Sequence, residues 1–271
     1  MMHTINRFAL SAALLVAPLA FAQQSTPEMS CDGRNWDSER ATHCEINETT
    51  IPATGLLTVD GGVNGGVRVR GWQKSQILVR AKVQTSADTD ARARDIARLI
   101  TIRTGGSQIV ADGPSSYERH ENWSVSYEVF VPQQIDLNLK AHNGGIGISD
   151  VRGHIEFATT NGGVSLQRLA GNVQGHTTNG GLSVELAGTT WDGEQLDATT
   201  TNGGVSVTVP EAYSAHLETG TVNGHMNIDF PVTVHGEIKV NHSLSVDLGS
   251  GGPTVRAMTT NGGVSIKRKD T

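Results

Sequence analysis

Apolar residues return at three fixed positions around a repeated asparagine in the second half of the chain. The first position lies six residues before the asparagine, and the others lie three and five residues after it. The step of two between the last positions is that of a β-strand with one buried face. We therefore expect three stacked columns that form one continuous core. They comprise Leu137, Ile155, Val173, Leu196, Leu217 and Val255; Ile146, Val164, Leu182, Val205, Met226, Leu244 and Val264; and Ile148, Leu166, Val184, Val207, Ile228, Val246 and Ile266.

The repeated asparagine opens an Asn-Gly-Gly turn, most regularly within Thr-Thr-Asn-Gly-Gly-Val-Ser. Glycine adopts positive φ freely and asparagine tolerates it, so the segment suits a sharp bend between two short strands. Stacked asparagine side chains can also hydrogen-bond along a β stack, and the threonine two residues earlier can do the same. The turn asparagines are Asn64, Asn143, Asn161, Asn179, Asn202, Asn223 and Asn261, with a degenerate copy at Asn241.

Successive turn asparagines from Asn143 onward are 18 to 23 residues apart. This period, with β-branched residues and glycine turns, predicts an all-β chain that forms a parallel β-solenoid (β-helix) of about 18–23-residue rungs. A local β-hairpin at each Asn-Gly is the alternative, but hairpins do not explain three fixed apolar columns. We place the regular rungs at 135–266, within a single solenoid domain at 51–271.

The N-terminal part of this domain is expected to interrupt the solenoid with one α-helix. Alternating apolar residues predict strands between 56 and 83, and an apolar stripe with period 3.6 predicts a helix over 87–100. Asp88, Thr89 and Asp90 suit the start of that helix. Its arginines either face solvent or bind a partner.

The first 22 residues have the pattern of a secretory signal peptide. Arg7 precedes an apolar run, and Ala20-Phe21-Ala22 is a small-residue cleavage site. We expect cleavage after Ala22 and export to the periplasm, the cell surface or the medium, with no transmembrane segment. In an oxidising compartment Cys31 and Cys44 should form a disulfide that pins an irregular segment at 23–50.

The charge of the chain argues against several function classes. The formal net charge is −6, and removal of Arg7 makes it one unit more negative. Such a chain is a poor candidate for binding nucleic acid or anionic lipid. Serine stands where calcium-binding coil repeats place aspartate, and the sequence contains no nucleophile elbow. We expect no metal and no cofactor.

The best candidate site is a polar column five residues before each turn asparagine. It should be the outward neighbour of an apolar column, which makes it a solvated surface, a hydrogen-bonding strip for a partner, or a catalytic site. Glu156 and Asp197, two rungs or roughly 9–10 Å apart, would stand at the wide end for an inverting glycosidase. The column comprises Asn138, Glu156, Gln174, Asp197 and Glu218.

Three further features carry open alternatives. Trp191 lies on a loop insertion, where it either is exposed for binding or folds back onto the coil. The threonine column could form an ice-binding surface, although its alternation with the core columns turns part of it inward. The last rung ends at Ile266, so residues 267–271 would guard an open solenoid end, and their deletion would strengthen weak end-to-end self-association.

The N-terminal signal, the strand–helix–strand portion and the Thr-Thr-Asn-Gly-Gly-Val-Ser coils resemble the bacterial "putative adhesin" family of β-solenoid domains. The resemblance covers residues 45 to 268 approximately. It implies a solenoid fold, an envelope location and a binding role. We therefore predict a non-enzymatic binding, adhesion or scaffold module whose partner is an envelope protein or glycan. A polysaccharide-active enzyme on a β-helix scaffold is the alternative.

Overall fold

The computed structural model describes residues 29–32, 39–115, 120–229 and 242–269. These residues form twenty β-strands and one α-helix. The N-terminal elements are β1 (Ala41–Pro52), β2 (Leu56–Asp60), β3 (Val67–Trp72), β4 (Gln76–Ala87), α1 (Asp90–Arg98), β5 (Thr101–Arg103), β6 (Gln108–Asp112) and β7 (Asn122–Pro132). The repeat elements are β8 (Asp136–Ala141), β9 (Ile146–Ser149), β10 (Arg152–Thr159), β11 (Val164–Gln167), β12 (Ala170–Asn179), β13 (Leu182–Glu185), β14 (Gln195–Asn202), β15 (Val205–Val209), β16 (Ala215–Asn223), β17 (Met226–Ile228), β18 (Ser243–Leu248), β19 (Thr254–Asn261) and β20 (Val264–Arg268).

The strands form two ten-stranded sheets that enclose one core. Sheet A has the order β1-β4-β7-β3-β9-β11-β13-β15-β20-β17, and sheet B has the order β18-β16-β19-β14-β12-β10-β8-β2-β6-β5. Neighbouring strands in the middle of both sheets are parallel. The chain is therefore nearly all-β, with two parallel-rich sheets in a solenoid-like arrangement.

The Asn-Gly-Gly turn carries the chain from one sheet to the other. At Asn161 the chain leaves β10 in sheet B and enters β11 in sheet A. Local hairpins at these turns are therefore ruled out, because the flanking strands do not pair with each other. In the next rung Val173 pairs with Ile155 and Leu182 pairs with Val164, so that equivalent buried residues stack along the axis.

The stacking order departs from the chain order at the C-terminal end. β20 lies between β15 and β17, and β19 lies between β14 and β16. The expectation that residues 267–271 guard an open end is therefore wrong, because the last rung in sequence is an internal rung. Arg268 and Lys269 instead form ion pairs with Glu211 and Glu185 on neighbouring segments. Near-identical turns do not encode which rung lies beside which.

The degenerate copy at Asn241 does not lead into a further parallel rung. Asn241 itself lies outside the described residues, and β18 after it pairs antiparallel with β16. Leu244 and Val246 are buried as expected, but they belong to sheet B instead of the predicted sheet A columns.

The segment before the solenoid is more regular than its composition indicates. Residues 41–50, expected to be irregular, belong to β1, an edge strand that pairs antiparallel with β4. β1 has no fully buried residue, so its sequence lacks the alternation of a strand with one buried face. Cys44 on this strand forms the disulfide with Cys31. The predicted signal peptide lies outside the described residues.

Helix α1 is shorter than the predicted 87–100, because β4 continues to Ala87. Thr89 caps the helix, and its side-chain oxygen accepts a hydrogen bond from the Arg92 backbone amide. Its apolar stripe, Ala93, Ile96 and Ala97, is buried. No helix in the described part of the chain has the length and apolar character needed to cross a membrane.

Candidate functional site

The polar column lies on the outward face of sheet B. Glu156, for example, is exposed between the buried Ile155 and Phe157 on β10. The side chains of a strand alternate between its two faces, so burial of one column exposes its neighbour. Parallel pairing aligns the column in the order Asn138, Glu156, Gln174, Asp197, Arg256 and Glu218.

Arg256 is a member of this column that the sequence analysis missed. It stands five residues before Asn261, so the spacing rule alone was enough to include it. Its place between Asp197 and Glu218 depends on the insertion of β19 and was not readable from the sequence. Arg256 Nη1 donates to Asp197 Oδ1 at 2.6 Å, and Arg256 Nε lies 3.7 Å from Glu218 Oε2. Glu218 is thereby separated from the other acidic members.

The N-terminal half of the column has no such cation between its members. Asn138 Nδ2 donates to Glu156 Oε2 at 3.5 Å, and His154 Nε2 lies 3.1 Å from Glu156 Oε1. Gln174 follows in the next rung and donates to Asn172 Oδ1 at 3.0 Å. Amide and carboxylate groups therefore repeat along the axis at the strand spacing of roughly 4.8 Å.

An open depression of about 490 Å³ lies over this part of sheet B. The short side chain of Ala158 stands between the longer side chains of Lys140 and His176 in the next outward column, which leaves the hollow. The depression is also lined by four of the five predicted residues: Asn138, Glu156, Gln174 and Asp197.

The two candidate catalytic carboxylates share this depression but are separated. Gln174 pairs with Glu156 on one side and with Asp197 on the other, which puts the carboxylates two strands or roughly 9–10 Å apart. One carboxylate oxygen of Asp197 already accepts a hydrogen bond from Arg256. The arrangement suits hydrogen bonding to a ligand better than activation of a water between two carboxylates.

Trp191 is not available for binding. Its side chain is only 3% exposed, it belongs to the core, and its indole Nε1 donates to the Gly171 carbonyl at 3.0 Å. The neighbouring Asp192 pairs with the guanidinium of Arg152, whose hydrogen bond lowers the pKa of the Asp192 carboxyl. The insertion is thus tied to the coil, and the alternative that placed Trp191 in an exposed binding loop is wrong.

The turn asparagines form a ladder of side-chain hydrogen bonds on the exposed edge between the two sheets. In each bond Nδ2 of one asparagine donates to Oδ1 of the asparagine that precedes it in the ladder, at 2.7 to 3.1 Å. The ladder runs through Asn64, Asn143, Asn161, Asn179, Asn202, Asn261 and Asn223 in that order. These side chains are therefore used mainly to hold the rungs together.

The threonine column beside the turns faces inward. The hydroxyl of Thr177, for example, is buried and donates to the Gly162 carbonyl of the neighbouring rung at 2.8 Å. Thr159, Thr200 and Thr259 make the equivalent bond. This column is therefore structural and does not provide the flat exposed surface that ice binding requires.

A serine–histidine–aspartate contact, which no sequence spacing indicated, lies at the C-terminal end of sheet B. His216 Nδ1 lies 2.7 Å from Asp247 Oδ1, and Ser245 Oγ lies 3.2 Å from His216 Nε2. The antiparallel pairing of β16 with β18 brings them together. Glu218 Oε1, 3.5 Å from the same Nε2, competes with Ser245. Ser245 also lies within strand β18. A nucleophilic serine usually stands on a sharp turn, where backbone amides can stabilise the oxyanion that forms.

The described residues contain no group of three or more His, Cys, Asp or Glu side chains placed to hold a metal ion. The side chains that line the sheet B depression can form hydrogen bonds and charge pairs with a ligand.

Comparisons with known proteins give a family and several distant structural likenesses. A comparison with curated proteins finds no match. The chain is similar to a putative cell adhesion protein from Clostridium sporogenes, with 14% identity over 84% of this chain and 100% of that one and a TM-score of 0.41. It is similar to a putative adhesin from Bacteroides fragilis, with 11% identity over 83% of this chain and 97% of that one and a TM-score of 0.35. It is also similar to a putative lipid binding protein from Parabacteroides distasonis, with 11% identity over 84% of this chain and 97% of that one and a TM-score of 0.28.

These TM-scores are too low for the likenesses to carry an argument about fold or function. The family comparison is stronger, since the model of the Toastrack DUF4097 family matches residues 74–267, well over half of the chain. That stretch extends from β4 to β20 and includes every rung of the regular repeat. The chain therefore belongs to the Toastrack DUF4097 family.

Proposed function

We propose that the protein is an exported, non-enzymatic module of the bacterial cell envelope that binds a glycan through the outward face of sheet B. The observation that carries this proposal is the open depression lined by Asn138, Glu156, Gln174 and Asp197. Amide and carboxylate side chains recur there once per rung, and such groups hydrogen-bond sugar hydroxyls. A ligand with a regular repeat can use several rungs at once, which raises its affinity by multivalency.

The rigidity of the surface supports the same role. The core side chains beneath the column are buried, and the asparagine and threonine bonds connect successive rungs. A preorganised surface loses little entropy when it binds.

Export forms part of the proposal. The predicted cleavage after Ala22 would release a mature chain to the periplasm or the cell surface. The disulfide between Cys31 and Cys44 supports this location, since disulfides persist in oxidising compartments.

The test is binding of the mature protein to purified envelope polysaccharides, measured by calorimetry. We expect the double variant Glu156→Ala/Gln174→Ala to lose affinity by at least about tenfold, because two hydrogen-bonding groups disappear from the depression. The matched control, Ser183→Ala/Ser206→Ala, removes two outward polar groups from sheet A and should bind normally. Equal affinity of all three proteins would refute the sheet B face as the binding surface.

The alternative function, a polysaccharide-active enzyme, rests on the presence of both Glu156 and Asp197 in one depression. It predicts release of new reducing ends from an envelope polysaccharide, lost in Glu156→Gln. The binding proposal predicts retention of the polysaccharide on the protein without any such release.

A further inference from the structure

A second cavity lies on the outward face of sheet A, on the other side of the core from the sheet B depression. Its volume is about 610 Å³, within the range of small-molecule sites. Strands β3, β4, β7, β9 and β11 provide its floor, and Met29 and Ser30 line it from the N-terminal segment. The disulfide from Cys31 to β1 holds that segment beside the sheet.

The cavity is positively charged in a protein that is acidic as a whole. Arg68, Arg70 and Lys82 line it, and none of the described residues that line it is acidic. Arg68 is 52% exposed, and its nearest ion-pair partner is Glu128, with Nη1 3.9 Å from Oε1. Within the described chain Lys82 has no side-chain ion pair. The net charge of −6 makes such a cluster of cations unexpected.

Glu128 offsets only part of the charge of this cluster. Its side chain is only 3% exposed, and it divides its carboxylate between Arg68 and Arg80, whose Nη1 lies 3.6 Å from Oε2. Neither distance is that of a hydrogen bond, and Oε2 has no hydrogen-bond partner among the described residues. The exposed guanidinium of Arg68 therefore keeps donors for an incoming anion.

The floor of the cavity is low because one rung lacks a side chain. Gly147 occupies the outward position that Ser165, Ser183 and Ser206 occupy in the following rungs. A Cβ at Gly147 would meet only Arg68 Cγ, at an ordinary contact distance of 3.8 Å. Packing therefore does not require glycine at this position, although glycine is what opens space beside Arg68.

The rest of the lining indicates the class of ligand. Val67, Tyr127, Ile146 and Ile148 have buried side chains that face the core, so they present mainly backbone to the cavity. The outward groups are hydroxyls and amides: Ser126, Ser149, Ser165, Gln84 and Gln167. Apart from Met29, the side chains that reach the cavity are polar or charged, and such a lining suits a hydroxyl-rich anion.

We propose that this cavity binds an acidic oligosaccharide, with Arg68 and Lys82 contacting its carboxylates and the serine and glutamine side chains contacting its hydroxyls. Arginine binds carboxylates in a bidentate manner, and lysine contributes a point charge. The site is independent of the proposed sheet B surface.

The experiment titrates the mature protein with a hexameric oligogalacturonate by calorimetry at low and at physiological ionic strength. Arg68→Gln and Lys82→Gln should each weaken binding by about tenfold, because each loses a charge-assisted contact. Gly147→Gln should abolish binding by occupying the space beside Arg68. Its matched control, Ser206→Gln, adds a similar side chain at the equivalent outward position three strands away and should bind normally. Thermal melts check that all variants fold.

Binding of oligogalacturonate that weakens with salt and is lost in Gly147→Gln but not in Ser206→Gln supports the proposal. A neutral oligosaccharide of equal length should not compete. The proposal is overturned if oligogalacturonate does not bind, if Gly147→Gln binds it as well as the unchanged protein, or if inorganic phosphate binds there and the oligosaccharide does not.

Discussion

Each turn asparagine acts through its side chain, and none of those that the structure describes has the positive φ that the sequence led us to expect at the bend. An interior member of the ladder, such as Asn179, donates to one rung and accepts from the next, whereas Asn223 at the end only donates to Asn261. Each bond joins two groups that water would otherwise solvate, so its net contribution is modest. Replacing an interior asparagine removes two bonds and replacing Asn223 removes one, so the loss of stability should depend on position in the ladder.

Asn179→Ala should lower the free energy of unfolding by about 1–3 kcal/mol, since two bonds are lost, and Asn223→Ala by about half as much. Urea denaturation measures both. Asn227→Ala is the control, because Asn227 is exposed and its side chain makes no hydrogen bond within the described chain. Equal effects of all three substitutions would contradict a stabilising ladder.

Two buried tyrosines should make the fold sensitive to alkaline pH. Burial raises the pKa of Tyr127 and Tyr213, and Asp60 and Asp112 raise that of Tyr127 further. The folded state thus favours the neutral phenol. Its contribution to stability is complete below the ordinary tyrosine pKa of about 10 and is lost progressively as the pH rises above that value.

The Tyr127 hydroxyl is buried without a hydrogen-bond partner among the described residues. Tyr127→Phe removes this unsatisfied group, so the variant should be more stable by about 1 kcal/mol near neutral pH. It should also lose less stability than the unchanged protein between about pH 9 and pH 11. Urea denaturation across this range tests both statements, and a destabilised variant would show that the hydroxyl has a partner.

At the scale of elements, the rung is the unit of structure and its neighbours are set by pairing. β20 pairs with β15 on one side and with β17 on the other, although β17 precedes it by more than thirty residues in the chain. The last rung in sequence therefore has neighbours on both sides. The outer strand of sheet A at this end is β17, which has only three residues.

Native-state hydrogen exchange tests this order of rungs. The amides of β19 and β20 should exchange as slowly as those of β14 and β15, because both rungs are internal to the stack. The amides of β17 and β18 should exchange faster. Rapid exchange confined to β19 and β20 would instead indicate a stack that follows the chain order.

At the scale of the whole molecule, the two sheets present chemically different outward faces. Sheet B carries mixed amides, carboxylates and an arginine above its core. Sheet A carries a cluster of cations beside the disulfide, and no described residue that lines its cavity is acidic. Antiparallel strands cover three of the four sheet ends: β1, β5 and β18.

The sequence by itself determined the rung. Asn-Gly-Gly turns and period-two alternation are local properties, so most of the buried columns and the outward column containing Glu156 and Gln174 could be assigned by counting. Ile228, which counting placed in a buried column, is exposed. The tertiary structure decided the order of rungs, the burial of Trp191, and the meeting of Arg256 with Asp197 and Glu218. The physical reason is that near-identical rungs offer one another the same hydrogen bonds and apolar surface, so pairing preference alone does not select a neighbour. That selection depends on contacts between residues far apart in the chain, which also created the basic cavity beside Arg68.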